Sequence, residues 1–241
     1  MNIKLSVIVP CFNEESRFGE GFNHYFNYLK KQKYPWELIL VNDGSKDRTL
    51  DLIKQYAKAS KNIKIVTYSK NRGKGYAICQ GIKAARGQHI LFSDLDHSVS
   101  IDTVESLFPY FEKGFEVVIG SRRVKGAKIL IHQSWLRETL GRGFTFLVRI
   151  FINWNIQDAT CGFKAFTKEA SRKIFNSVLI YDWAFDAEVL YLAKKYHLKI
   201  AQAPVVWRDV RGTKVSLKKD ILRSLLGLLK IRLNDLRSRY L

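Results

Sequence analysis

Short apolar runs alternate with segments of helical periodicity from the start of the chain. Residues 5–9, 36–41, 63–68, 89–92 and 116–119 are dominated by Val, Ile and Leu and read as buried strands. Between them, Leu50, Ile53 and Ala57 share one helix face behind a cap at Asp47. Val104, Leu107 and Phe111 share another behind Ser100. Near-continuous apolar strands separated by helices predict an α/β fold with a mostly parallel sheet and helices on both faces. The first ~120 residues read as one Rossmann-like half.

In such a sheet, ligands bind beyond the carboxyl ends of the strands, and polar motifs fall there. The first strand runs into Pro10-Cys11-Phe12-Asn13-Glu14-Glu15, the second into Asn42-Asp43-Gly44-Ser45, and the fourth into Ser93-Asp94-Leu95-Asp96. Acids that stop three strands mark a site. Asp94 and Asp96 offer hard oxygen ligands to Mg²⁺ or Mn²⁺, which bridges diphosphate oxygens and offsets charge on a leaving group. Alone, such a pair reads as a solvated turn with helix-capping acids; its place beside two other polar strand ends favours the metal. Asp43 reads as a nucleobase acceptor and also as part of an Asp-Gly turn, and Glu14 and Glu15 equally suit a helix dipole. Asn71-Arg72-Gly73-Lys74-Gly75 opens a helix with exposed amides and two cations, which suits a phosphate. It matches neither the dinucleotide fingerprint nor the P-loop.

Composition narrows the partners. The chain has 241 residues, 46% apolar, enough for one sizeable core. No run of about 18 apolar residues occurs, and residues 1–12 do not read as a signal peptide. Cys11, Cys79 and Cys161 are far apart and form no CxxC pair, so they read as buried small hydrophobes in a reducing cytoplasm. The net charge of +19 fits nucleic acid, an anionic membrane surface or phosphorylated substrates. Nucleic acid is disfavoured by the acids at three strand ends and by the lack of any RNP or zinc-finger pattern. Residues 211–241 carry nine Lys or Arg against Asp220 and Asp235. There Leu225, Leu228, Leu229, Leu233 and Leu236 are interleaved with cations, which predicts an amphipathic helix. It lies in a membrane interface or docks on the core, and the interface is favoured. Residues 137–154 offer a second apolar surface or more core.

The order VPCFNEE, VNDGSKDRT, NRGKGYAICQGIKAARG, SDLDHS, GSRR, QDATCGFKAF and WAFDAEVLYLA resembles glycosyltransferase family 2. Within it the chain is most similar to the dolichyl-phosphate glucose and mannose synthases, and nearer the glucosyl branch. The resemblance implies a GT-A fold over residues 1–210, followed by the basic helix of 211–241. It implies an inverting hexosyl transfer from a nucleotide-sugar, UDP-glucose favoured, to a polyprenyl or dolichyl phosphate. The protein would be cytoplasmic, peripheral on the cytoplasmic face of a membrane. By position, Pro10, Phe12, Glu14 and Asp43 would line the nucleotide pocket with Lys74 nearby, while Asp94 and Asp96 would hold nucleotide-sugar and metal. Arg122 and Arg137 would meet the acceptor phosphate. Asp158, with Gly162-Phe163-Lys164, would wall the acceptor side, and Asp186 and Glu188 would lie near the sugar. Asp96 and Asp158 are thus the expected catalytic residues, although a base at Asp158 or Glu188 is required only for a saccharide hydroxyl acceptor, the alternative reaction. Two departures stand out: mannosyl synthases often carry Gln where this chain has Ser98, and glucosyl relatives usually begin with a membrane helix that this sequence lacks.

Overall fold

The computed structural model describes residues 2–152, 155–182, 184–210 and 217–240, with side chains in the last segment from residue 225 onward. Five strands fall where the apolar runs predict them: β1 (Leu5–Cys11), β2 (Trp36–Asp43), β3 (Ile63–Tyr68), β4 (His89–Phe92) and β5 (Val117–Ser121). The remaining strands are β6 (Lys128–Ile131), β7 (Lys164–Thr167), β8 (Ile200–Pro204) and β9 (Val206–Arg208). The helices are α1 (Phe18–Leu29), α2 (Thr49–Ala57), α3 (Lys74–Ala84), α4 (Phe108–Glu112), α5 (Trp135–Phe151), α6 (Lys168–Phe175), α7 (Phe185–Lys195) and α8 (Leu217–Leu236).

The main sheet has the order β3-β2-β1-β4-β7-β5-β8. All neighbours are parallel except β7, which is antiparallel to both β4 and β5. Side chains alternate between two cores, as the strand period requires. Ile8, Ile39, Val41, Ile90 and Phe92 face the α3, α6 and α7 side, while Val7, Val9, Leu38, Leu40 and Leu91 face α1 and α2. The three cysteines are buried, as expected, and burial raises each thiol pKa, to about 12 at Cys79 and about 11 at Cys161.

Asp47 does serve the start of α2, accepting from Thr49 N at 3.0 Å. Behind Ser100 the expected single helix is broken. Residues Ile101–Leu107 form a 3₁₀ turn, and α4 restarts with Pro109 in its first turn, where a missing N–H costs nothing. The apolar spacing still holds, since Val104 and Leu107 are buried.

The C-terminal helix splits its leucines between two environments. Leu228, Ile231 and Asn234 are buried, and a Cβ added to Gly227 would stand 2.2 Å from Ala184 Cβ, so α8 packs tightly over the start of α7. Leu225, Leu226, Leu229, Leu233 and Leu236 remain exposed. Neighbouring α5 does the same, with Val148 in the core and Trp135, Phe146, Ile150 and Phe151 in solvent. Arg211 and Lys214 lie outside the described residues, as do the side chains of Lys218, Lys219 and Arg223. Among the described residues no helix is long and apolar enough to cross a membrane.

Candidate active site

The loop after β4 is fixed from below and from the side. Ser93 N donates to Ile8 O at 3.0 Å, and the buried Tyr25 hydroxyl of α1 lies 2.7 Å from Ser93 Oγ and 2.6 Å from Asp94 O. Leu95 enters the core over Gly21, where a Cβ would stand 2.5 Å from Leu95 O. With the middle residue committed inward, Asp94 and Asp96 are left at the sheet's carboxyl edge. Asp96 Oδ1 accepts from Ser98 N at 3.1 Å. Asp94 Oδ1 pairs with Lys74 Nζ at 2.6 Å, yet 34% of the Asp94 side chain still meets solvent.

Charges of both signs crowd this point. Lys164, fully buried, holds Asp186 Oδ1 at 2.5 Å and Cys161 O at 2.6 Å. Burial raises the Asp94 carboxyl pKa, and Asp96 and Asp186 add to the rise against the pull of Lys74. Burial would lower Lys74, but Asp94, Asp186 and Asp96 outweigh it and hold the ammonium charged. A Cβ on Gly162 would stand 2.1 Å from Asp94 Oδ2 and 3.3 Å from Lys74 Nζ, so the 161–163 backbone approaches this closely only as glycine. Among the described residues no group of three or more His, Cys, Asp or Glu is poised around a metal. Mg²⁺ is commonly held by one or two carboxylates plus phosphate oxygens and water. An aspartate pair that stays partly solvent-accessible, beside a glycine cradle a Cβ would fill, suits that mode.

The neighbouring wall is built from the ends of β1 and β2. Pro10, next to last in β1, is half-buried, and Phe12 is 40% exposed at the rim. Asn13 (φ 53°) is locked against the β2 turn, where its N meets Ser45 Oγ at 3.1 Å and Lys46 N meets its Oδ1 at 2.9 Å. The Glu14 carboxylate is engaged by Arg17, so it braces the start of α1. Asp43 is 3% exposed, and its oxygens accept from Asn71 Nδ2 (2.8 Å), Arg72 N (2.8 Å) and Gly73 N (3.0 Å). Its observed work is to fold the 71–73 loop, so that Lys74 opens α3 directly opposite Asp94.

Beside the carboxylate pair lies a cationic cleft of about 100 Å³. Arg122 and Arg137 both line it, with Thr160 and Trp207. Arg122 is held by Asp158 through Nε–Oδ2 (2.7 Å) and Nη2–Oδ1 (2.8 Å), reaches Thr160 Oγ1 at 2.8 Å, and lies over the Trp207 ring. The β6–β9 ribbon joins cleft to carboxylates, because Arg208 N donates to Ser98 O at 3.0 Å and Val99 bridges Trp207.

Two sequence expectations need correction. Asp158 is fully buried with both oxygens on Arg122. Burial alone would raise its pKa, but the Arg122 hydrogen bonds and charge win and lower it, which makes it a poor base. It orients Arg122 instead. Glu188 is also fully buried and faces away from Asp186, because two helical positions turn by about 200°. It accepts from Leu179 N, Ile180 N and the Tyr240 hydroxyl, at 3.1, 2.8 and 2.5 Å. It therefore braces the 178–182 loop, whose Tyr181 O receives Gly75 N at 3.1 Å, and lies on the side of α7 away from Asp186.

Sequence reasoning missed Arg17, Tyr25 and the cradle role of Gly162. Arg17 follows an acidic motif that drew attention first. Its guanidinium is held charged mainly by Glu14, with Asp96 and Asp94 adding to the rise in pKa. Tyr25 looked like one more apolar helix position, and nothing in the sequence announced its hydroxyl's target.

A GT-A scaffold carrying an aspartate pair beside a cationic cleft is the architecture of a glycosyltransferase. The family model for glycosyl transferase family 2 matches residues 6–175, and the chain belongs to that family. The dolichyl-phosphate beta-glucosyltransferase of Dictyostelium discoideum is 36% identical, the match covering 96% of this chain and 78% of that protein. Proteins of the same description from Saccharomyces cerevisiae (35%, covering 96% and 75%) and Homo sapiens (36%, covering 88% and 69%) are comparably similar. Among solved structures, glucosyl-3-phosphoglycerate synthase from Mycobacterium tuberculosis, in complex with Mn²⁺, UDP and glucosyl-3-phosphoglycerate, shares the fold. Its TM-score is 0.68 at 20% identity, covering 95% of this chain and 80% of that one.

Proposed function

We propose that this protein transfers glucose from UDP-glucose to the phosphate of a dolichyl or other polyprenyl phosphate, acting as a peripheral protein on the cytoplasmic face of a membrane. The observation that carries the reading is the adjacency of two unlike subsites. Gly162 packs on Asp94 and Thr160 lines the Arg122 cleft. Two residues span at most about 7 Å between Cα atoms, so an acceptor phosphate in the cleft would stand beside a donor diphosphate at the carboxylates. The relatives' descriptions support glucose and dolichyl phosphate as the transferred group and acceptor. Glucosyl-3-phosphoglycerate synthase, which shares the fold, has been solved with Mn²⁺ and UDP-glucose, which supports the donor by analogy.

In this reading Asp94 and Asp96 would hold a divalent cation, which when bound would supply positive charge for the leaving diphosphate. Lys74, opposite Asp94, adds a fixed positive charge on the same side. Pro10, Phe12 and Glu14 contribute the rim and brace of the nucleotide wall, and Asp43 shapes its loop. Asp186, held by Lys164, stands nearest the sugar. The acceptor phosphate, with a second pKa of about 6, is largely dianionic at neutral pH. It needs positioning more than deprotonation, and Arg137 and the oriented Arg122 suit that task. Attack from the cleft on the face opposite the leaving group inverts the anomeric centre. The sealed state of Asp158 favours a phosphate acceptor over a saccharide hydroxyl, which would call for a base.

A panel of labelled nucleotide-sugars with polyprenyl phosphate and Mg²⁺ or Mn²⁺ tests the proposal. UDP-glucose should give a lipid-extractable labelled product that is lost with chelator. Absence of lipid product from every donor would overturn it.

A further inference from the structure

A second cationic cavity, of about 530 Å³, opens on the other side of Arg123 and Arg142 from the acceptor cleft. Arg142, Thr145, Phe146 and Arg149 of α5 line it, facing Arg123 and the 155–157 segment. These four stand at i, i+3, i+4 and i+7, so one helix face presents two guanidiniums, a hydroxyl and an aromatic ring. No carboxylate lines the cavity among the described residues. Glu138 pairs with Arg142 at 2.8 Å but faces the acceptor cleft. Burial lowers the Arg123 pKa against the pull of Asp158 and Glu138, with Arg122 and Arg142 adding to the fall, and its Nη1 donates to Gln157 O at 3.2 Å. Thr145, 2% exposed, has a buried Oγ1 with no hydrogen-bond partner among the described residues. Three guanidiniums gathered on the walls of one cavity suit an anion.

The cavity is far roomier than a bare phosphate needs, and its wall is amphiphilic. Phe146 is 54% exposed, and Ile150 and Phe151 continue the apolar surface along α5. We propose that this cavity binds the phosphodiester headgroup of an anionic membrane phospholipid, at a site separate from the acceptor cleft. The guanidiniums of Arg123, Arg142 and Arg149 take the phosphate, and Phe146 lies along the first carbons of the lipid. The site rests on the membrane-surface reading of the protein and gives that reading a specific contact. Retention on the bilayer then depends on one pocket as well as on general charge.

The test uses the full chain with vesicles of phosphatidylcholine alone or with phosphatidylglycerol, at physiological ionic strength. Arg149 and Phe146 line this cavity and not the acceptor cleft, so Arg149→Gln and Phe146→Ser probe the one without touching the other. Lys58→Gln, an exposed position after α2 beyond the opposite sheet edge, removes the same charge elsewhere. Arg149→Gln should weaken binding to phosphatidylglycerol vesicles about fivefold, and Phe146→Ser should weaken it as well. Lys58→Gln should change it less than twofold. All three should keep their melting temperature and their transfer rate to a detergent-dispersed acceptor. Equal losses for Arg149→Gln and Lys58→Gln would overturn the site in favour of diffuse attraction. Displacement by inorganic phosphate at low millimolar concentration would mark a free-phosphate site and overturn the lipid assignment. A raised KM for the dispersed acceptor in Arg149→Gln would make the cavity part of the acceptor subsite and overturn it too. Wild type that binds both vesicles equally overturns this proposal alone. Wild type that ignores both overturns the membrane-surface reading with it, and the transfer reaction is judged separately by labelled product.

Discussion

A carboxylate with lone pairs to spare can take a ligand, whereas one whose lone pairs are filled can only hold its neighbours. Asp94 and Asp96 belong to the first kind and Asp158 to the second, although all three read alike in sequence. Asp96→Asn should cut turnover at least a hundredfold with little change in melting temperature, because its backbone cap from Ser98 survives. Asp158→Asn leaves the part-buried Arg122 without its counter-charge, which costs up to about 3–5 kcal/mol. For a chain of this size that is a fall in melting temperature of roughly 10 °C, with a raised KM for acceptor. Calorimetry with steady-state kinetics on both variants separates the two roles; a collapse of turnover at Asp158→Asn without loss of stability would restore it as a base. Asp94 and Asp96 were legible because a strand end gave them context. The partner of Asp158 was not, since Arg122 lies 36 positions away and only the fold brings them together.

At the scale of elements, α7 works from both sides. Its Asp186 face meets the site and its Glu188 face receives Tyr240 from beyond α8. The shared motif suggests a sugar-proximal place for both acids, although their i, i+2 spacing on a helix already separates them. Burial raises the Glu188 pKa from its ordinary 4.5 to about 7, against the hydrogen bonds from Tyr240, Ile180 and Leu179 and the charge of Lys230. The unfolded chain loses this proton near pH 4.5 and the folded one near pH 7. The stabilisation is therefore complete below about 4.5 and is lost as pH rises through about 7. The difference amounts to roughly 3 kcal/mol at most. Glu188→Gln keeps a neutral group that accepts from Leu179 and Ile180 and donates to Tyr240. Melting curves from pH 5 to 8 should fall with pH several degrees less for the variant than for wild type; parallel curves would show that Glu188 does not titrate here.

For the whole molecule, the exposed leucines of α8 and the exposed apolar residues of α5 lie on adjacent, packed helices, although Phe144, Leu147 and Val148 of the expected α5 stripe pack on the core. Leu229→Ser with Leu233→Ser should weaken vesicle binding several-fold by removing buried apolar area. Stability should be nearly unchanged, because Leu228 and Ile231 carry the docking. Flotation with vesicles checks this, and unaltered binding would remove α8 from the contact. Periodicity recovered the parallel half of the sheet because its strands are long apolar runs. It missed β7, which is only Lys164–Thr167 and begins with a buried lysine that no apolar pattern flags. That short strand has a consequence for how the protein is made. β4 and β5 lack their shared partner until residues 164–167 have been synthesised. A nascent chain emerging at about 5–20 residues per second would thus carry β4 and β5 with unpaired edges for several seconds. The N-terminal half, which looks self-sufficient, would then depend on chaperone shelter, and any fragment ending before residue 164 should aggregate.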